Sequence, residues 1–180
     1  MKKYLLIAFS LCALSSVAQK YTVEKSVVSF FSKAKIEDIT AQNTKASSIF
    51  NLESGDIAFS IPITEFEFAK SLMKEHFNEK YMDTEKFPKA TFQGKITGYQ
   101  QKTSGPQVAK ANGKLTVHGV TKEVEIPGTV EITGGSVLLH SKFMVKLDDY
   151  GVPRPQLLWQ NIAEEVEVSI DFTFIPHEKK

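Results

Sequence analysis

The chain has 180 residues, 22 Lys+Arg against 21 Asp+Glu, thirteen phenylalanines and a single cysteine. Lysines and glutamates are interspersed rather than blocked, so bulk charge selects no polyanionic partner and leaves no nucleic-acid footprint. Cys12 sits in the N-terminal apolar run, and the rest of the chain therefore offers no disulfide, thiolate metal site or cysteine nucleophile.

Lys2 and Lys3 precede an apolar run over residues 4–14, followed by Ser16, Val17, Ala18 and Gln19, the pattern of an export leader with small residues at its cleavage site. Cleavage is expected after Ala18, giving a signal peptide over 1–18 and one domain over 19–180. Leu11 stands where a lipoprotein leader has a small residue, so anchoring at Cys12 is disfavoured. No later stretch approaches the roughly 20 apolar residues of a membrane-spanning helix. Loss of Lys2 and Lys3 leaves 20 basic against 21 acidic residues, a net charge of about −1 on an exported, soluble protein.

From Tyr21 onward the signal is alternation, which places one face of each segment in a core and the other in water. Residues 27–31 and 36–39 read as short strands, and 40–48 as either strand or connection. Ile57, Phe59, Ile61 and Ile63 share one face. The period then changes. In AKSLMKEHFNEKYMDTEKFPKATF, residues 69–92, Leu72, Met73, His76 and Phe77 take one side of a short helix, and Lys74, Glu75, Asn78 and Glu79 the other. Pro88 ends that element, with a strand starting near Ala90. Alternation returns through Phe92, Gly94 and Ile96; Leu115 and Val117; and Val124, Ile126, Val130 and Ile132. Gly134-Gly135 predicts a hairpin. Val137, Leu139, Phe143, Val145 and Leu147 follow on one face, opposite His140, Lys142 and Lys146. Residues 148–159, rich in proline, form a long loop before the last strand, in which Val166, Val168, Ile170, Phe172 and Phe174 alternate with polar residues. Long antiparallel strands of this kind close most simply into a barrel of about eight strands, with the short helix alongside. The expected class is mainly β, a lipocalin-like extended antiparallel barrel.

Two segments resemble a known family. HFNEKYMDTEKFPKATF, residues 76–92, is similar to the signature of the YceI-like family, in which a helix carrying a histidine and a following aspartate precede Tyr/Phe-Pro-x-Ala-x-Phe. GKLTVHGVTKEVEIP, residues 113–127, resembles that family's Gly-x-Leu-Thr-x-His-Gly-Val-Thr-Lys stretch, in the same order along the chain. The sequence departs from the pattern at Lys74 and Glu75, reversed in sign order, and at Phe77, where the family has leucine. The resemblance implies an exported barrel whose apolar interior holds a polyisoprenoid or an isoprenoid quinone.

The functional reading is that of a carrier that sequesters such a lipid, with no enzymatic activity, no resident cofactor beyond the lipid, no nucleic-acid partner, transient membrane contact and a possible dimer, in a periplasm or secreted. Expected interior residues are Phe59, Ile61, Phe92, Val117, Phe143 and Phe172. Expected mouth residues are Leu72, Phe77, Met82 and Phe87, with His76, Tyr81 or Asp83 meeting a headgroup. A long apolar chain binds by burial worth roughly 25 cal/mol per Å². The competing expectation is a ligand-free stress or interaction module whose aromatics simply fill the core. His76 and His118 do not make a metal site, which needs three or more ligands; a hydrogen-bonded ring is expected for His76 and a turn-fixing role for His118. The chain has no Gly-x-Ser-x-Gly elbow and no phosphate-cradling loop, and Asp148-Asp149 and Glu164-Glu165 are adjacent, so on a strand they point to opposite faces.

Overall fold

The structure, a computed structural model, describes residues 20–33, 38–153 and 163–177. The leader over 1–18 with Cys12, the residue Ile36 and the residue Trp159 lie outside the described residues.

Among the described residues, ten strand segments and one short α-helix follow in chain order: β1 (Lys20–Ser32), β2 (Ile39–Asn43), β3 (Ser47–Asn51), β4 (Asp56–Pro62), β5 (Glu67–Phe68), α1 (Ser71–His76), β6 (Lys89–Thr97), β7 (Gln107–Val117), β8 (Val120–Thr133), β9 (Ser136–Lys146) and β10 (Glu165–Pro176). All pairings are antiparallel, and β1 pairs with β10, from Tyr21 opposite Pro176 to Phe31 opposite Glu167, so the sheet closes on itself.

The ten segments occupy eight places around the wall. β1 is flanked on its second edge by β3 through residues 20–22 and by β2 through residues 28–32, so β2 and β3 are two halves of one wall position. β4 pairs with β3 and β5 with β2, and these two share the next position. The stretch that read as strand or connection is thus both, interrupted at residues 44–46. Asn43, with 0% exposure, fastens the interruption: its Nδ2 donates to the Pro62 carbonyl at 2.7 Å and its Oδ1 accepts from the Lys45 N–H at 2.8 Å. A buried amide is tolerated because both of its ends are used.

The alternation expected from sequence sets the inner face. Ile57, Phe59 and Ile61 of β4, Val137, Leu139 and Val145 of β9, and Val166, Ile170, Phe172 and Phe174 of β10 are buried. Outside, Lys110–Glu125 (2.6 Å), Lys142–Glu167 (2.9 Å) and His140–Asp171 (2.6 Å) span neighbouring strands. These exposed pairs add little to stability individually; they keep the outer face polar.

Two hairpin turns close at two residues each. Gly134 (φ 54°) and Gly135 (φ 96°) join β8 to β9, as the sequence predicts. His118 (φ 49°) and Gly119 (φ 75°) join β7 to β8, both in the left-handed region that such a turn demands of its central residues.

Candidate functional site

The aromatic residues divide the barrel interior into two levels. Phe59 is the hinge between them: it stacks on Phe92 with centroids 5.2 Å apart and meets Phe172 edge-on at 5.8 Å. Beneath it Phe92, Phe172, Phe174 and Phe50 are almost fully buried and fill the core, leaving a void of about 60 Å³ on the Phe92 and Phe172 side. Above it a larger cavity of about 160 Å³ opens under the helix.

The upper cavity is lined by apolar side chains of the barrel wall, among them Phe59, Ile61, Leu115, Val117 and Phe143, and by the helical segment. α1 is only six residues long and runs straight into a wider π-type turn, Phe77–Tyr81, closed by the Met82 N–H donating to the Phe77 carbonyl at 2.9 Å. A helix this short holds its shape through packing rather than propensity. Phe77 supplies that packing: its ring lies 5.4 Å from Phe30, nearly parallel, 5.7 Å from Phe66 and 5.1 Å from Phe68. The helix is pinned over the cavity by one phenylalanine in a nest of three.

Of the residues expected at the site, Phe59, Ile61, His76, Phe77, Tyr81, Met82, Val117 and Phe143 come together on this cavity. Phe92 and Phe172 lie in the lower core instead. Leu72 does not join the covered face; it is 59% exposed, and Met73, His76 and Phe77 are the helical residues that turn inward. The reason is angular: Leu72 lies one step around the helix from Met73, and the Met73–Phe77 line is the one directed at the barrel. Phe87 packs outside the cavity, against the β7–β8 turn, where its ring centroid is 4.5 Å from that of His118. Asp83, at φ 42°, bonds Lys86 at 2.7 Å and does not line the cavity.

His118 has the turn-fixing role expected of it, with Nδ1 3.3 Å from the Tyr150 carbonyl oxygen. His76 departs from expectation. Its ring has no hydrogen-bond partner among the described residues, because it faces an apolar space rather than a polar neighbour. His140 is on the outer face, and among the described residues no group of three or more His, Cys, Asp or Glu side chains could hold a metal ion.

Sequence reasoning missed Tyr150 and Val152. Both lie in the segment read simply as loop, yet a 3₁₀ turn over Asp148–Tyr150, ended by Gly151 at φ 63°, folds them inward to 4% exposure each on the cavity. No periodicity marks so short an element. Phe30, Phe66 and Phe68 were legible only as apolar residues; that they converge on Phe77 depends on β1, β5 and the helix meeting in space.

Burial raises the phenol pKa of Tyr81. Tyr150 is raised by burial first and then by the neighbouring Asp149 carboxylate. Both phenols therefore stay protonated well above neutral pH and present O–H donors.

A closed antiparallel barrel with an apolar upper cavity and a helix over it defines a lipocalin-like fold. The chain belongs to the YceI-like family, whose domain model matches residues 18–174. A polyisoprenoid binding domain from Saccharophagus degradans, implicated in plant cell wall breakdown, has the same fold with a TM-score of 0.75 at 15% identity, over 87% of this chain and 98% of that one. BcnA of Burkholderia cenocepacia matches with a TM-score of 0.70 at 21% identity, over 82% and 95%. A YCEI protein of Campylobacter jejuni matches with a TM-score of 0.55 at 15% identity, over 99% and 100%. At these identities the likeness speaks for the fold alone. No curated protein matches the chain.

Proposed function

We propose that this protein is an exported carrier that takes one long-chain isoprenoid or similar amphiphile into the barrel, shields it from water and exchanges it with a membrane. The observation that carries the reading is the upper cavity: an apolar space walled by barrel strands and roofed by a helix that one aromatic cluster holds in place. The naming of a Saccharophagus relative for polyisoprenoid binding agrees with it.

The cavity volume of about 160 Å³ is close to the void of roughly 150 Å³ that admits a benzene-sized guest. It is smaller than the roughly 300–1,000 Å³ of pockets for drug-sized ligands. A long chain therefore enters by displacing the helix and the Phe77 ring, and the closed form is the unloaded one. The same small volume favours the competing reading, a packed barrel that serves as an interaction module. Against that, the exposed large apolar residues among the described ones, Phe31, Ile49, Leu72, Val108, Val120, Leu138 and Met144, are distributed over β1, β3, α1, β7, β8 and β9.

Organic extraction of the exported protein, expressed with its leader and purified from the exporting cell, followed by mass spectrometry, tests the carrier. About one equivalent of isoprenoid or other single-chain lipid per protein is expected. A lipid-free protein whose cavity stays closed with lipid vesicles overturns it. N-terminal sequencing of the exported form, expected to begin at Gln19, tests export.

A further inference from the structure

Among the described residues the barrel wall has a long unpaired seam between β8 and β9. Their ladder covers only residues 128–133 against 136–141. Each strand stays paired beyond that point on its other side: β8 with β7 as far as Val120 opposite Val117, and β9 with β10 as far as Lys146 opposite Glu165. Residues 120–127 and 142–146 therefore face each other as two strand edges with no ladder between them. The sequence marks the fork. Pro127 has no N–H to give a partner strand, and its carbonyl accepts instead from the Ser141 hydroxyl at 2.7 Å. Gly128 marks where the strands are still close: a Cβ there would fall 2.5 Å from the His140 carbonyl oxygen.

The 3₁₀ turn Asp148–Tyr150 crosses the top of the seam as a strap. It is tied to β8 by the Lys122–Asp149 ion pair at 3.0 Å, and to the β7–β8 turn by His118 at the Tyr150 carbonyl, 3.3 Å away. The ion pair is largely exposed, with side chains 41% and 50% accessible, so that tie is a weak one. Behind the seam lies the upper cavity, lined by Phe143 and Val145 of the β9 edge and by Tyr150 of the strap. Val124 and Phe143 hold inward positions of their strands yet are only half-buried, and Val120 and Met144 beside them are exposed. The cavity is firmer elsewhere. Its floor is Phe59 packed on Phe92 and Phe172, and the break between β2 and β3 is fastened by Asn43.

We infer, resting on the carrier reading, that the β8–β9 seam is a side slot for the tail of a chain too long for the upper cavity, with the strap as its latch. Two unpaired edges part without breaking a ladder bond, whereas parting any laddered pair breaks several. An apolar tail needs no directional partner, and Val124 and Phe143 offer it apolar surface on the inner side. The edge N–H and C=O groups keep their water on the outer side.

The test uses protein expressed from Gln19, which has no native cysteine. Lys122→Cys with Asp149→Cys, joined by a short reducible cross-linker, locks the strap. Glu67→Cys with Lys74→Cys, at another exposed ion pair, locks the helix in the same way. Geraniol and geranylgeraniol serve as short and long probes of one series. The strap lock is expected to weaken geranylgeraniol binding by at least about tenfold, the loss of roughly two buried methylenes, and to leave geraniol unchanged. Reducing the linker should restore long-chain binding, which separates the effect from misfolding. In the unlocked protein, hydrogen exchange at residues 120–126 and 142–146 should respond to geranylgeraniol and not to geraniol. Geranylgeraniol binding indifferent to the strap lock, or an equal loss of both probes under it, overturns the slot while the carrier reading stands. Protection of the same amides that grows with protein concentration in the absence of probe assigns the edges to a second copy of the chain and also overturns it. Failure of both probes with the unlocked protein overturns the carrier reading and the slot together.

Discussion

Phe87 lies against Gly119 so closely that a Cβ on the glycine would fall 2.4 Å from the Phe87 Cε1 atom. These residues belong to the two segments that resemble family signatures, 76–92 and 113–127, and the contact makes the two segments one physical unit at the helix end of the barrel. Gly119 is needed twice over: its φ of 75° suits a residue without Cβ, and the ring of Phe87 occupies the space a Cβ would take. His118 completes the unit, bonded to the Tyr150 carbonyl and packed on Phe87.

Gly119→Ala should therefore destabilise the fold by more than the ~1–2 kcal/mol of left-handed strain alone. In a Phe87→Ala background the added cost should fall toward the strain value, because the ring that must move has gone. Urea unfolding of the four proteins of the cycle measures the coupling. Additive effects would show that the contact carries no energy.

Phe77 and Leu72 are expected to behave differently, although the sequence places them on one helix face. Phe77→Ala removes the ring that holds the helix against Phe30, Phe66 and Phe68 and should cost about 2–3 kcal/mol, below the usual range for a fully buried phenylalanine because Phe77 is only half-buried. Leu72→Ser should change stability by less than about 0.5 kcal/mol. Hydrogen exchange should show residues 71–81 opening in Phe77→Ala but not in Leu72→Ser, and lipid retention should follow the same order.

Asn43 joins the two breaks in the wall, one after β2 and one after β4. Asn43→Ala leaves the part-buried Pro62 carbonyl and the Lys45 N–H without their partner and should cost about 1–3 kcal/mol. Denaturant unfolding gives the magnitude, and faster exchange at the Lys45 amide gives the location. Asn43→Asp should not rescue it, since a carboxylate cannot donate to Pro62.

Alkaline pH should weaken the fold. Tyr81 and Tyr150 are raised by burial, and Tyr99 by burial and then by Asp56. A phenol with a raised folded-state pKa binds its proton more tightly in the native state than in the unfolded chain. Its contribution is fully present below the ordinary tyrosine pKa of about 10 and is lost as pH rises through the higher folded value. Stability should decline from about pH 10 upward, and absorbance titration at 295 nm should show tyrosines ionising later in the native protein than in urea. Tyr150→Phe should flatten part of that decline.

Much of the architecture was legible because the inner faces of β4, β9 and β10 alternate without a break, and a period of two fixes which side chains go in. The hairpin at Gly134-Gly135 was equally plain, since glycine takes both of its left-handed positions without steric cost. The helix was legible as an interruption of that period, but its inward line was not: six α-helical residues are too few to define a face, and the π-type turn after His76 turns the next five by packing. The candidate site was read in part. Residues on long strands fell where alternation put them, whereas the depth at which Phe92 and Phe172 sit is set by the barrel's shear, which no single strand records.

The sequence by itself determined the class of fold and the apolar character of its interior, because both follow from local periodicity and composition. Only the tertiary structure decided that Tyr150 faces the cavity, that Phe77 is the pin of the helix, and that Phe87 and Gly119 touch. Each of these is a contact between segments distant in the chain, made by barrel closure, and such contacts have no signature in the order of residues.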